Sequence, residues 1–210
     1  MTLNLFVLGA TGNTGRHVVD LALRRGYRVT AFVRSPHKMT SVDRALKVVS
    51  GDPRDPAQLA ASMAGHDAVI SVLGVPRQEA FRPSTLLTEF AASTVAAMQS
   101  ADLRRLAILS AALLFPEGGL AFTFMRWFIR HHLRDLSTME NVVQATPFDW
   151  TIARPPKLIQ APDEGYTCSG GALPAGAFSI SFRATAAFLL DSVEQGSFTR
   201  QVVGLRRAAS

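Results

Sequence analysis

With 210 residues, the chain exceeds one average domain and falls short of two, and its 48% apolar against 18% charged residues exclude a disordered chain or an acidic tail. Its 22 Lys and Arg outnumber its 16 Asp and Glu, a formal charge of +6 that admits phosphate-bearing partners without choosing among them. One cysteine, Cys168, excludes an internal disulfide framework and a thiolate metal cluster, and fits a reducing, cytoplasmic address.

Residues 3–8 form an apolar run with no basic flank that ends in a glycine loop, so they read as a first strand and not as a signal peptide. A helix follows over 14–25, then strands at 28–33 and 47–50, a helix at 56–64, a strand at 68–73 and a helix at 84–100. Next come a strand at 106–110, one long helical stretch near 121–144, a strand at 150–153, a helix at 183–194 with Ser181 as its N-cap, and a strand at 200–203. Strands alternating with helices predict an α/β fold, a single domain over 1–210 with a mostly parallel, doubly wound Rossmann-like sheet. The apolar stretches at 106–115 and 120–129 are about half as long as a membrane span requires.

Two segments, 75–83 and 155–177, lack regular pattern, and both follow strands. In an open α/β sheet ligands sit beyond the carboxyl ends of the strands, so these segments are placed to form a substrate wall or lid. Residues of about 155–180 are therefore expected to make a small substrate-side portion of the domain; the competing reading is a surface excursion without a role.

The most informative residues are Gly9-Ala10-Thr11-Gly12-Asn13-Thr14-Gly15, between the first strand and an amphipathic helix. Gly9 permits a sharp exit from the strand, Gly12 removes a side chain where a pyrophosphate approaches the backbone, and Gly15 lets the helix pack closely on the sheet. Amides of the first helical turn and the positive end of the helix dipole then supply an anion site without a lysine. At the end of the second strand, where an acid would bind the 2′-hydroxyl of NAD, the chain offers Arg34, Ser35 and Lys38. A guanidinium, a hydroxyl and an ammonium suit a 2′-phosphate, so NADP(H) is expected in preference to NAD(H). The alternative is that Arg34 and Lys38 are ordinary solvated charges.

These motifs, with Gly51-Asp52, Ser71-Val72-Leu73-Gly74 and Asp149-Trp150-Thr151-Ile152-Ala153-Arg154-Pro155-Pro156, resemble the atypical short-chain dehydrogenase/reductases. The resemblance is nearest to the NAD(P)H-binding, NmrA-like group that includes flavin reductase/biliverdin-IXβ reductase, and it covers nearly the whole chain. It implies that Asp52 lies near the adenine, that Leu73 and Gly74 pass along the cofactor, that Ser110 stands beside the nicotinamide, and that Pro155 and Pro156 close its nicotinamide end. Asp52-Pro53 reads equally as turn chemistry.

Most short-chain dehydrogenases polarise a carbonyl through a Tyr-x-x-x-Lys pair, because a developing alkoxide needs a proton donor. Neither Tyr27 nor Tyr166 is followed by lysine at that spacing; with Glu140 matched to the family's helix glutamate, the tyrosine slot holds His132 and the lysine slot Leu136. Direct hydride transfer to a flat, hydrophobic acceptor such as a flavin, quinone or tetrapyrrole fits better, since the cofactor carries that chemistry. Ser110 and His132 are the polar candidates for catalysis, and Leu113, Phe115, Phe124 and Tyr166 the candidates for the substrate pocket.

His131 and His132 sit among Arg126, Arg130 and Arg134, whose spacing of four predicts one stripe on a continuous helix, most simply a solvated face. Phe122, Phe124, Met125, Trp127, Phe128 and Ile129 exceed what a core-facing stripe requires, so a buried helix, a substrate pocket, a partner surface or a membrane surface remains open. The five histidines show no ligand spacing, so no metal is expected. No nucleophile elbow and no recognised nucleic-acid module is present either. The rival expectation is an NmrA-like protein that binds NADP(H) and regulates a partner without turnover.

Overall fold

The computed structural model describes residues 2–75, 82–117 and 119–208. The strands are β1 (Asn4–Leu8), β2 (Arg28–Val33), β3 (Leu46–Ser50), β4 (Ala68–Ser71), β5 (Arg105–Leu109), β6 (Asp149–Arg154), β7 (Lys157–Ile159), β8 (Tyr166–Gly170), β9 (Ser179–Ser181) and β10 (Gln201–Arg207). The helices are α1 (Asn13–Arg24), α2 (Pro56–Met63), α3 (Leu86–Ser100), α4 (Gly119–Phe128), α5 (Arg130–Gln144) and α6 (Phe182–Gln195). Eight strands form one sheet in the order β3-β2-β1-β4-β5-β6-β10-β8, parallel except for the antiparallel edge pair β10/β8. The α/β, doubly wound expectation holds.

Alternation along β1 divides the core. Leu5 and Val7 join Val18, Val19, Phe188 and Leu189 of α1 and α6 on one face; Phe6 and Leu8 join Leu59, Phe90, Met98 and Met139 of α2, α3 and α5 on the other. A strand buried on both faces has to be apolar at every position, which is why β1 reads as a continuous run. Because the sheet order reverses direction between β1 and β4, the switch point lies beyond Leu8 and Ser71, which are directly paired.

Two expectations are corrected. The stretch 121–144 is two helices: Ile129, at φ −107° and ψ 28°, leaves helical geometry between α4 and α5. Arg126 of α4 is tied to carbonyls of the 113–117 segment, through Nε to Leu113 and Nη2 to Phe115 and Glu117. On α5, by contrast, Leu133, Leu136 and Met139 must enter the core against the sheet. One straight helix would not meet both demands, so the arginine stripe is split and Arg126 is not a solvated charge. The segment 155–177 is not patternless either, since it carries β7, which pairs with β9, and β8, which closes the sheet edge. Its strands are short and its alternation is obscured by glycines and polar residues, so tertiary pairing supplies what local periodicity lacks.

Ser181 caps α6 as expected: its Oγ accepts from Ala184 N at 2.8 Å and donates to Asp163 O at 2.7 Å, at a fully buried position. Ser181→Ala removes both interactions and should lower the unfolding free energy by about 1–2 kcal/mol, measured by urea denaturation.

Candidate functional site

The glycine loop owes its shape to two close approaches. Gly9 has φ +82°, and a Cβ there would stand 2.6 Å from Val72 O; a Cβ on Gly15 would stand 2.1 Å from Gly9 O. Both positions therefore exclude a side chain on internal grounds, and they draw the end of β1, the start of α1 and the end of β4 into contact. Gly12 differs, because a Cβ there meets only Gly9 O, at 3.3 Å. Its bareness serves the space outside the protein. Gly12 is the N-cap of α1, with no side-chain cap and no acid in the first turn, so this turn turns a positive dipole end toward the cleft. Thr11, Gly12 and Asn13 lie at the surface, whereas Thr14 is buried with Gly15.

Strand register assembles the rest. Leu8 pairs with both Phe32 and Ser71, so the residues that follow each strand end side by side. They enclose a cleft of about 180 Å³ lined by Gly9, Thr11 and Gly12, by Phe32, Val33, Arg34, Ser35 and Lys38, by Pro53, and by Val72, Leu73 and Gly74. Gly9, Thr11 and Gly12 of the loop thus meet Arg34, Ser35, Lys38, Leu73 and Gly74 around one opening, and Asn13, Thr14 and Gly15 are not among its lining residues. Phe32, Val33, Pro53 and Val72 were missed as lining residues; only the parallel pairing places these strand ends around one opening.

Asp52 serves the turn it occupies. It accepts from Arg54 N and Nε through Oδ1 and from Arg54 Nη2 through Oδ2 at 2.7 Å. The Arg54 side chain and amide hold its carboxyl down at about 2, so it carries its charge at neutral pH with a cation beside it. The neighbouring Pro53, not Asp52, lines the cleft.

At the end of β5, Ser110 Oγ donates to Glu140 Oε1 at 2.5 Å, and Arg154 donates to both oxygens of Glu140, by Nε at 2.9 Å and Nη2 at 2.6 Å. Ser71, the last residue of β4, pairs with Ile108, so Ser110 follows the end of β5, one strand over from the cleft. Ser110 N donates to Ala153 O, and Ala112 N to Pro155 O, which fastens Pro155 and Pro156 beside the same strand end. His132 is half-buried on α5; burial lowers its pKa, and nearby Asp135 raises it less. Asp135 is itself committed, accepting from Leu87 N and from Thr88 N and Oγ1.

The four pocket candidates do not form one pocket. Phe115 is 2% exposed, beneath the Arg154 guanidinium at 4.6 Å. Leu113 is partly buried against the α2/α3/α5 core, and Phe124 is 69% exposed beside Trp127 on α4. Tyr166 lies on the far edge strand β8, where its hydroxyl donates to Asp191 at 2.6 Å and its ring meets Phe188 edge-on. Three strands, β5, β6 and β10, separate β8 from β4 in the sheet order, too far for Tyr166 to face the cleft. Among the described residues no group of three metal-type side chains comes together, and no helix is long and apolar enough to cross a membrane.

Residues 9–196 match a family described as NAD(P)H-binding, the stretch that carries the cleft. The chain belongs to the NAD(P)H-binding family. The expected kinship with atypical, NmrA-like short-chain dehydrogenase/reductases stands with it. The chain is 38% identical over 79 residues to an isoflavone reductase homolog of Zea mays, covering 33% of this chain and 26% of that protein. It is 29% identical over 186 residues to the oxidoreductase stcQ of Emericella nidulans, covering 76% of this chain and 67% of that one. The matched part thus spans only a quarter of the maize relative and two thirds of the fungal one. By structure, the oxidoreductase ylbE of Lactococcus lactis superposes with TM-score 0.84 at 19% identity, over 99% of this chain and 92% of that one. A short-chain dehydrogenase/reductase of Veillonella parvula, solved in complex with NADP, superposes with TM-score 0.77 at 20% identity, over 100% and 96% of the chains. At such identities the superpositions establish a shared fold.

A nicotinamide dinucleotide fits the residues of this NAD(P)H-binding protein: a bare N-cap at an uncapped helix start, and cations at the end of β2. Two glycine variants separate fold from ligand. Gly15→Ala should destabilise the fold, because its Cβ overlaps backbone, whereas Gly12→Ala should fold with a loss of about 1 kcal/mol or less yet bind NADP(H) more weakly, measured by thermal melting and calorimetry. A second expectation concerns pH. With a pKa held below 6.5 in the fold, His132 binds its proton more readily when unfolded, so its contribution lowers stability as pH falls through 6.5. Its ring resonances should titrate below that value by NMR, and His132→Ala should flatten the acid slope of the unfolding free energy.

Proposed function

We propose that the protein is an NADPH-dependent reductase that delivers hydride directly to a flat, hydrophobic acceptor of the flavin, quinone or tetrapyrrole kind. The observation that carries this reading is the lack of a phenol at the reacting end of the cleft. The chain has two tyrosines; Tyr166 is bound to Asp191 on the far edge, and Tyr27 is buried with the α1/α6 core. Ser110 has already committed its hydrogen to Glu140. Reduction of an electron-poor ring needs no side chain to protonate a developing alkoxide, because solvent completes the proton count.

Bound in this cleft, a nicotinamide cofactor supplies the hydride. The residues of the chain do the holding. First-turn amides of α1 grip the diphosphate, Arg34, Ser35 and Lys38 take the 2′-phosphate, Pro53 beside Asp52 borders the adenine, and Leu73 and Gly74 line the path across the switch point. Pro155 and Pro156 wall the nicotinamide end with Ser110. Arg154 above Phe115 stiffens that wall. His132, half-buried and held toward its neutral form, is a poor proton source at neutral pH. The domain acts as one unit within a reducing cytoplasm, in keeping with its single thiol.

The alternative, a sensor that binds NADP(H) without turnover, draws on the same lack of a proton donor. NADPH absorbance followed with FMN, FAD and quinones decides between them: steady loss supports the reductase, and tight binding with no oxidation across that panel supports the sensor. For the cofactor, Arg34→Ala should weaken NADP binding about tenfold or more while leaving NAD binding nearly unchanged, by calorimetry. Equal affinities for NAD and NADP in the unaltered protein would remove the preference.

A further inference from the structure

Glu140 is a buried acid that the cofactor cleft does not use directly. It is 2% exposed on α5, and a carboxylate can only accept hydrogen bonds. At 2.5 Å the Ser110 hydroxyl must therefore donate its one hydrogen to Oε1. Arg154 donates Nε to the same oxygen at 2.9 Å and Nη2 to Oε2 at 2.6 Å, so the carboxylate is gripped by a planar fork and cannot swing away. The fork is itself seated over the Phe115 ring. The main chain of Ser110 is fixed as well, its N donating to Ala153 O at 2.8 Å. Both ends of this short side chain are thus determined, and only the lone pairs of its oxygen remain.

The general layout of dinucleotides on such sheets puts the adenosine half at the end of β2 and the diphosphate at the first helix. The other half then extends over the ends of β4 and β5, which pair up to Ser71 and Ile108 and are followed by Leu73 and Ser110 respectively. We propose that Glu140 and Arg154 are positioning residues that lock the Ser110 hydroxyl as a hydrogen-bond acceptor, so that the site selects a nicotinamide head by the N–H of its carboxamide. This rests on the cofactor placement of the reductase reading, though not on any acceptor being reduced.

The test is calorimetric binding of NADP⁺ and of its 3-acetylpyridine analogue, in which a methyl ketone keeps the carbonyl and removes the N–H donor. One neutral hydrogen bond should give the unaltered protein about a fivefold preference for NADP⁺. Ser110→Ala should bring that ratio to about one. Glu140→Ala should reduce the preference too, since it removes the acceptor that holds the Ser110 hydrogen and leaves the hydroxyl free to turn. Binding of 2′-phospho-ADP-ribose, which lacks the nicotinamide, should stay unchanged in both variants, a readout that general damage would move. If Glu140→Ala does not fold, Ser110→Ala decides alone. A preference that survives Ser110→Ala, or equal weakening of the fragment, overturns the inference while leaving the reductase reading intact. If none of the three nucleotides binds the unaltered protein, both fall.

Discussion

The structure depends on backbone lying against backbone at the switch point. Where β1 ends, the chain passes so close to Val72 and then to its own Gly9 carbonyl that Cβ atoms at Gly9 and Gly15 would overlap main-chain atoms. This contact sets the angle at which α1 leaves the sheet and brings its uncapped start beside the ends of β2 and β4. Gly12, free of any such internal demand, is what leaves the amides open to a ligand. Architecture and binding are thus assigned to different glycines within seven residues.

Charge is arranged with the same division. On the α1/α6 face, Arg25 pairs with Asp191 and Glu194, and Arg24 and Arg183 share Glu164, at partly exposed positions. Such pairs contribute little individually, typically below about 1 kcal/mol. On the other face Glu140 and Arg154 form a bidentate pair that is nearly excluded from water, at 2% and 15% side-chain exposure. A pair of this kind is weak evidence for stability, because desolvation offsets attraction, and is better understood as fixing geometry. Its place at the end of β5, beside the strand ends that form the cleft, gives that geometry a use. Arg34 and Lys38 stand exposed at the opening instead, which suits cations that meet a phosphate from solution.

The points where local sequence and structure part company have identifiable causes. Helical periodicity continues through Ile129, yet the helix breaks there because Arg126 and the Leu133–Leu136–Met139 face answer to different neighbours. Strands β7 and β8 have neither the length nor the alternation to announce themselves, and exist because β9 and β10 offer them edges. Tyr166 looked like a pocket residue because its segment follows a strand; antiparallel pairing with β10 carries it to the opposite side of the sheet.

The fold class, most of the strands and helices, the Ser181 cap and the glycine loop with Arg34, Ser35 and Lys38 were legible from the chain alone. These rest on interactions between near neighbours: alternation, capping, and glycine where a turn is tight. The contribution of Phe32, Pro53 and Val72 to the cleft, the committed hydrogen of Ser110, the ion pair between Glu140 and Arg154, and the removal of Tyr166 from the site were decided by tertiary structure. Each depends on which strand lies beside which and on how side chains distant in sequence meet, and periodicity along one chain carries no record of either.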